Sequence, residues 1–155
     1  MKLQEIINYL ELQTHPEGGY YKETYRSDVN CVNGTRSVCT VIYFLLTAEN
    51  CSKFHRIQSD ELWYFHAGSP LIVHTLTSKG YIQHIVGNNL LAGETPQLLV
   101  SKNTIFGSTV KEENSFSLVS CSVSPGFEFS DFELFNKETL IALYPTQERI
   151  ITQLT

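Results

Sequence analysis

A succession of short segments rich in β-branched and aromatic residues occupies residues 38–134 of this chain. Turn-forming clusters separate these segments, among them Gly68-Ser69-Pro70 and Ser78-Lys79-Gly80. The segments span residues 38–46, 53–58, 61–67, 71–77, 81–86, 97–100, 104–110, 115–124 and 127–134. So many short strands at this spacing, without a helical pattern among them, predict an all-β sandwich or barrel.

Helical patterns are confined to the two ends of the chain. Apolar residues recur at helical spacing within residues 2–12 and predict a short amphipathic helix there. Near the other end, Asn136 is a helix-capping residue that predicts a helix through Leu143, and a second short helix is predicted after Pro145. We therefore predict a single domain over residues 1–155, all-β with short N- and C-terminal helices.

Charge and composition argue against several classes of partner. The net charge is −5 and the Lys and Arg residues are scattered singly, so the sequence has no basic stripe for nucleic acid. It has neither a membrane-spanning apolar run nor an apolar stretch of signal-peptide type at the start. The four cysteines form no Cys-x-x-Cys pair, which favours reduced thiols. These observations predict a cytoplasmic protein with no membrane or nucleic-acid partner.

The strongest functional signal lies in residues 52–68, which read SKFHRIQSDELWYFHAG. His55 lies in one predicted strand and Glu61 opens the next. A β-turn between the two strands predicts that the imidazole and the carboxylate lie at one end of the same sheet. Such a pair can bind a metal ion or transfer a proton, so we predict a pocket around His55 and Glu61.

The alternation of side chains along the second strand predicts part of the pocket wall. Glu61, Trp63 and Phe65 share one face of this strand, because successive residues point to opposite faces. If Glu61 points into a barrel, Trp63 and Phe65 lie beside it. An aromatic wall with a few polar groups suits a small organic ligand.

Three strings of residues occur together and in a fixed order: HPEGGYY at residues 15–21, FHRIQSDELW at residues 54–63 and SPGFEFSDFEL at residues 124–134. In these strings the chain resembles a group within the cupin superfamily that has long been described as a domain of unknown function. The resemblance extends from about Leu3 to Leu154. It implies a single jelly-roll barrel, usually a homodimer, with a ligand-sized cavity inside the barrel.

The resemblance also bears on metal binding. A cupin metal centre takes a His-x-His pair, a following Glu and a later His, and only His55 and Glu61 match this pattern here. Ile57 stands at the second His position and Phe106 at the later one. The prediction is therefore either no cofactor or one divalent metal ion held by a reduced ligand set, with His74 as the best substitute ligand.

We predict a small-molecule-binding cupin and leave three alternatives open. The first is a metal-independent enzyme of the epimerase or isomerase type that acts on a sugar or a small carboxylate. In that case His55 and Glu61 are the base and acid, and Tyr25 is a candidate proton donor. The second is a metal-dependent enzyme, and the third is a non-catalytic ligand-binding protein. Trp63, Phe65 and Phe106 are the predicted ligand contacts.

Overall fold

Two antiparallel β-sheets form the body of the protein. The computed structural model describes residues 3–32 and 34–155. The strands are β1 (Gln13–Thr14), β2 (Tyr20–Arg26), β3 (Thr40–Thr47), β4 (Cys51–Arg56), β5 (Asp60–Gly68), β6 (Leu71–Thr77), β7 (Gly80–Val86), β8 (Gln97–Val100), β9 (Ile105–Val110), β10 (Phe116–Ser124) and β11 (Glu133–Leu134). The helices are α1 (Leu3–Tyr9), α2 (Lys137–Leu143) and α3 (Glu148–Gln153).

The order of the strands separates consecutive elements into different sheets. The first sheet has the order β1-β2-β3-β10-β5-β8, and the second has the order β11-β4-β9-β6-β7. His55 on β4 and Glu61 on β5 therefore belong to different sheets. The prediction that a turn holds them at one end of the same sheet is wrong, because residues 57–59 cross from the second sheet to the first.

The main apolar core lies between the two sheets. Alternate residues of each strand point inward, so both sheets contribute buried side chains to one cluster. Its buried members are Phe44, Leu46, Trp63, Leu71, Val73, Val86, Val100, Phe106, Val119 and Cys121. The predicted alternation in β5 is confirmed, since Glu61 and Trp63 are buried while Leu62 and Tyr64 are only half-buried.

Short helical segments cover the outer faces of the sheets. Ile6 of α1 packs with Leu45 on the outer face of the first sheet. Leu140 of α2 and residues of the α3 region pack with Phe54 on the outer face of the second sheet. The Asn136 side chain accepts a hydrogen bond from the Thr139 backbone N–H at 2.8 Å, as its predicted capping role requires. None of the described helices is long and apolar enough to cross a membrane.

The last predicted strand, residues 127–134, is for the most part not a strand. A turn of 3₁₀ helix occupies Phe129–Asp131, and only Glu133–Leu134 pair as β11 with β4. The Gly126 and Phe127 N–H groups donate instead to the Ser37 carbonyl and the Thr40 hydroxyl, at 2.8 and 2.9 Å, which draws the segment away from sheet pairing. The predicted mostly-β fold with terminal helices is confirmed, and its closure into a jelly-roll barrel stays a prediction.

Candidate functional site

A tight turn places an acidic side chain in the interior between the sheets. Residues 15–19 connect β1 to β2, and the turn lies against β4, where the Lys53 N–H donates to the Glu17 carbonyl at 2.8 Å. Gly18 has a φ of +112°, and a Cβ there would lie 2.1 Å from the Cys51 carbonyl oxygen. Only glycine can make this approach. The close packing holds Glu17 beside β4, with 5% of the residue exposed.

Substituting Gly18 tests whether the close approach holds the turn. Gly80 has a similar φ of +105° but nothing within 4 Å of its missing Cβ, so it is a matched control for backbone strain alone. We expect G80A to lower the free energy of unfolding by about 1 kcal/mol and G18A by at least about 2 kcal/mol. Urea unfolding measures both values. Equal losses would show that the turn does not depend on close packing against β4.

Glu17 and His55 form a buried pair. The Glu17 Oε2 atom lies 2.9 Å from His55 Nε2, and the Ser52 hydroxyl donates to Glu17 Oε1 at 3.0 Å. On the other side of the ring, His55 Nδ1 lies 2.7 Å from the Lys53 carbonyl oxygen. His55 and Glu17 are 3% and 5% exposed. Both nitrogens of His55 are therefore engaged with protein atoms.

The contacts of His55 indicate a positively charged ring. A carbonyl oxygen can only accept, so His55 Nδ1 carries a proton, and a carboxylate at Nε2 calls for a second proton there. Burial alone would lower the pKa of His55, but the Glu17 charge and hydrogen bond outweigh it and raise that pKa. Burial alone would raise the pKa of Glu17, yet His55 brings it below its ordinary value. An imidazolium–carboxylate pair is the result.

Glu61 faces this pair from the other sheet and differs from Glu17 in its electrostatic environment. It is 7% exposed, and no nitrogen of a Lys, Arg or His among the described residues lies within ion-pair distance of its carboxyl. Burial, followed by the negative charge of Glu17, raises the pKa of Glu61 to about 7. The neighbouring Cys121 thiol is also buried, and burial raises its pKa, so it stays protonated. Glu61 is thus a carboxyl that can gain or lose a proton near neutral pH.

A cavity of about 270 Å³ connects these groups to the surface. Its apolar wall contains Tyr21, Ile42, Ile57, Val123, Phe127, Phe129 and Phe132. Its polar groups belong to Gln13, His15, Glu17, Glu23, Arg26, Thr40, His55, Glu61 and Glu128. Pockets for drug-sized ligands begin near about 300 Å³, so this cavity suits a somewhat smaller organic molecule.

Tyr25, the predicted proton donor, does not line this cavity. It is 52% exposed. A β-bulge between Glu23 and Tyr25 inserts Thr24 into the pairing of β2 with β3 and reverses the alternation beyond it. Tyr21 and Glu23 consequently face the cavity before the bulge, and Arg26 faces it after the bulge.

The three predicted ligand contacts lie in the core. Trp63 and Phe106 are at most 2% exposed, and Phe65 packs against the same cluster. Trp63, Phe65 and Phe106 are all absent from the described residues that line the cavity. Phe106 instead pairs with His55 across β9 and β4, and the two ring centroids are 4.2 Å apart. It supports the imidazole from the core side.

His74, the predicted substitute metal ligand, lies on the outer face of the second sheet. It pairs with Gly107, whereas the neighbouring pair of Thr75 with Phe106 points to the core side. Its two ring nitrogens lie 2.8 Å from the Tyr81 hydroxyl and 2.9 Å from the Thr109 hydroxyl. Burial lowers the pKa of His74 to about 4, so the ring stays neutral. The structure does not bring His74 to His55 and Glu61.

The residues present do not fit a cupin metal site. Within residues 3–32 and 34–155, no three His, Cys, Asp or Glu side chains are arranged to hold a metal ion. Ile57 and Phe106, at two of the expected imidazole positions, are buried and apolar. The remaining imidazole, His55, already uses both nitrogens. Glu17 occupies the Nε2 side of that ring, where a metal ligand would need a free lone pair.

Sequence reasoning missed Glu17 and Arg26 at this site. The signal for Glu17 was its place directly before Gly18-Gly19, since paired glycines mark a close backbone approach that also fixes their neighbour. Arg26 carried no comparable signal, because it reaches the cavity only as a result of the bulge in β2.

The two sheets, the interior cavity and the motif positions define a member of the cupin superfamily. Residues 4–135 match the family described as Cupin superfamily (DUF985), and the chain belongs to that family. It is 31% identical over 153 residues to the uncharacterized protein YML079W of Saccharomyces cerevisiae, covering 88% of this chain and 76% of that protein.

Solved structures agree with this assignment. Protein SO0799 from Shewanella oneidensis is 44% identical with a TM-score of 0.95, over 100% of this chain and 98% of that one. A hypothetical protein from Leishmania major is 39% identical with a TM-score of 0.93, over 100% and 99% of the two chains. An oxalate decarboxylase variant from Bacillus subtilis is similar in fold alone, at 16% identity and a TM-score of 0.59, over 92% of this chain and 37% of that one.

Proposed function

We propose that this protein is a metal-independent proton-transfer enzyme of the epimerase or isomerase type, acting on a sugar or another small carbonyl compound in the interior cavity. The observation that carries the proposal is the buried carboxyl of Glu61. It lines a ligand-sized cavity and has a pKa of about 7, beside a charged Glu17–His55 pair. A general acid or base works best when its pKa lies near the working pH.

The geometry supports a simple division of roles. In its carboxylate form, Glu61 removes a proton from a carbon next to the carbonyl group of the substrate. The His55 imidazolium lines the same cavity, and because both of its nitrogens are bonded to protein atoms, its positive charge acts through space on the negative charge that develops on the carbonyl oxygen. In epimerisation, protonated Glu61 returns the proton to the opposite face of the same carbon after the bound intermediate reorients. In isomerisation, it returns the proton to the neighbouring carbon while the hydroxyl proton on that carbon moves to the former carbonyl oxygen. Either step regenerates the Glu61 carboxylate. Glu17 is a positioning residue that keeps His55 charged and oriented.

Solvent isotope exchange tests this proposal. Purified protein is incubated in D₂O with a panel of aldoses, ketoses, amino sugars and small keto acids, and deuterium on carbon is followed by NMR. We expect exchange with at least one member of the panel and a decrease of at least about 100-fold in Glu61→Gln. The wild-type rate should increase as the pH passes 7, because only the carboxylate form of Glu61 accepts a proton.

The exposed Glu113 provides a matched control, since Glu113→Gln makes the same chemical change outside the cavity. It should exchange at the wild-type rate. Exchange that is absent throughout the panel, or unchanged in Glu61→Gln, would contradict the proposal. A ligand that raises the unfolding temperature without exchange identifies the non-catalytic binding protein instead.

The biological context stays a prediction. A jelly-roll homodimer is expected from the family resemblance. A cytoplasmic location is supported by the four cysteines, all of which are free thiols.

A further inference from the structure

The rim of the cavity carries more negative than positive charge. Arg26 donates from Nε and Nη2 to the two carboxylate oxygens of Glu23, at 3.0 and 2.8 Å. Arg36 is hydrogen-bonded to Asp131 and lies 3.5 Å from Glu128. Arg36 and Asp131 are not among the residues that line the cavity, so of these charged groups the lining holds one guanidinium, Arg26, and two carboxylates, Glu23 and Glu128.

Arg26 is the one arginine among the described cavity-lining residues, and the N–H groups of its Nε and Nη2 are already engaged. Besides the two bonds to Glu23, its Nη2 donates to the Phe127 carbonyl at 3.1 Å. A carboxylate or phosphate on a ligand that approached Arg26 would meet a guanidinium already paired with Glu23 and would also face the negative charge of Glu128. The charges at the rim therefore disfavour an anionic ligand.

Inside the cavity, no positively charged group among the described residues lies within ion-pair distance of Glu61. The charge of His55 is already matched by Glu17 at 2.9 Å. Besides this pair, Glu61 interacts with the Cys121 thiol and the Trp63 indole N–H, and both are uncharged. The indole nitrogen is buried and has no hydrogen-bond partner of good geometry. Of the two charges in this pair, the negative Glu17 acts on Glu61 more strongly than the positive His55 does. A positively charged group on a ligand would therefore supply the counter-charge that this pair leaves unmet.

Aromatic rings form much of the remaining wall. Phe127, Phe129 and Phe132 line one side, and the centroids of the first two are 4.9 Å apart in an edge-to-face arrangement. Tyr21 lines the cavity next to the His15 ring, with centroids 4.6 Å apart. Aromatic faces attract ammonium groups at centroid distances up to about 6 Å, and most strongly where water is excluded.

We infer that the cavity selects a ligand with a positively charged nitrogen, bound between the Glu61 carboxylate and the aromatic wall. This inference rests on the proposed function to the extent that it uses the same cavity and the same carboxyl. It narrows the substrate class from sugars in general to amine-bearing compounds such as amino sugars or amino ketones. It also removes small carboxylates from the expected substrates.

A set of three isosteric probes tests the charge preference directly. Choline has a trimethylammonium group, and 3,3-dimethylbutan-1-ol and 3,3-dimethylbutanoate have a tert-butyl group of the same shape. Choline is cationic, the alcohol is neutral and the carboxylate is anionic. Each is titrated into ¹⁵N-labelled wild-type protein at pH 8 and pH 5.5, and binding is followed by amide chemical shifts. At pH 8 we expect choline to bind at least about tenfold more tightly than either analogue. At pH 5.5 this preference should largely disappear, because Glu61 is then protonated.

The same titrations with Glu61→Gln and Glu113→Gln locate the effect. Glu61→Gln should lose the preference for choline at pH 8, and Glu113→Gln should keep it. A second measurement does not depend on a variant. Calorimetry at pH 7 in two buffers of different ionisation enthalpy should show partial release of a proton when choline binds the wild-type protein. The groups facing Glu61 that can also titrate are Glu17, His55 and Cys121.

The outcomes separate this inference from the proposed function. Choline binding that depends on Glu61, without deuterium exchange into any substrate, supports the ligand class and contradicts the catalytic proposal. Equal or tighter binding of the alcohol or the carboxylate would overturn the ligand class, even where exchange is observed. The absence of choline binding, or choline binding that is unchanged in Glu61→Gln, would overturn it as well.

Discussion

Glu17→Ala is expected to lower the free energy of unfolding at pH 6 by about 3–5 kcal/mol, measured by urea unfolding. The substitution leaves the His55 ring buried, with its Nε2 facing no counter-charge. It also removes the acceptor of the Ser52 hydroxyl, which is fully buried. An unpaired buried charge destabilises a protein by much more than the pair stabilises it.

The choice of pH 6 follows from the directions in which folding shifts the pKa values of Glu17 and His55. The folded-state pKa of Glu17 is lowered, so its contribution is present above its ordinary value of 4.5 and is lost as the pH falls through the lower folded value. The folded-state pKa of His55 is raised, so its contribution is complete below 6.5 and is lost as the pH rises through the higher folded value. Both contributions are complete between pH 4.5 and 6.5.

Two controls make the Glu17 prediction specific. Glu113→Ala removes an exposed carboxylate and should change the free energy of unfolding by less than about 0.5 kcal/mol. The double variant Glu17→Ala/His55→Ala should lose less stability than the sum of the two single variants, because the unpaired charge is absent from it. Additive losses, or a loss in Glu17→Ala below about 1 kcal/mol, would show that the two residues do not act as an ion pair.

Local patterns predicted the elements of the fold better than their assembly. The predicted strands from residue 53 to residue 124 agree closely with β4 to β10, because turn residues and β-branched runs act locally. The assignment of β4 and β5 to different sheets is not a local property. His55 and Glu61 line one cavity, but they meet across the two sheets and not at one end of the same sheet.

The errors at the site come from features that the alternation of side chains cannot express. One inserted residue, Thr24, turns Tyr25 outward and Arg26 inward. Alternation correctly placed Trp63 on the inner face of the sheet. It does not show which of the inward-facing residues of a strand line the cavity and which pack in the core. For His74, alternation in β6 could not be anchored, since the strand has polar residues on both faces, His74 on one and Thr75 and Thr77 on the other.

Glu61→Gln is expected to raise the free energy of unfolding at pH 8 by about 3 kcal/mol and to leave it almost unchanged at pH 4. The pKa of Glu61 is about 7 in the folded protein against an ordinary value of 4.5, mainly because the carboxyl is buried. Each pH unit of this difference corresponds to about 1.4 kcal/mol. Glutamine has nearly the same shape and does not ionise, so it avoids the penalty of a buried negative charge.

The sign of the pH dependence is the reverse of that for Glu17. The folded protein holds the Glu61 proton more tightly than the unfolded chain does, so the contribution of Glu61 to wild-type stability is complete below pH 4.5 and is lost as the pH rises through about 7. The increase in the free energy of unfolding caused by Glu61→Gln should grow between pH 4.5 and about 7 and stay constant at higher pH. Urea unfolding at several pH values gives this curve, and Glu113→Gln should follow the wild type throughout.

Stability and activity should change in opposite directions in Glu61→Gln. A buried acid that weakens the fold at neutral pH is expected where function requires it, since catalytic groups are often held in environments that disfavour their charge. A variant that is more stable at pH 8 but no longer exchanges deuterium or prefers choline would connect the destabilising carboxyl to the function of the cavity. A stability curve parallel to that of the wild type between pH 4.5 and 7 would show that Glu61 ionises at its ordinary pKa, and proton transfer by this residue near neutral pH would then lose its physical basis.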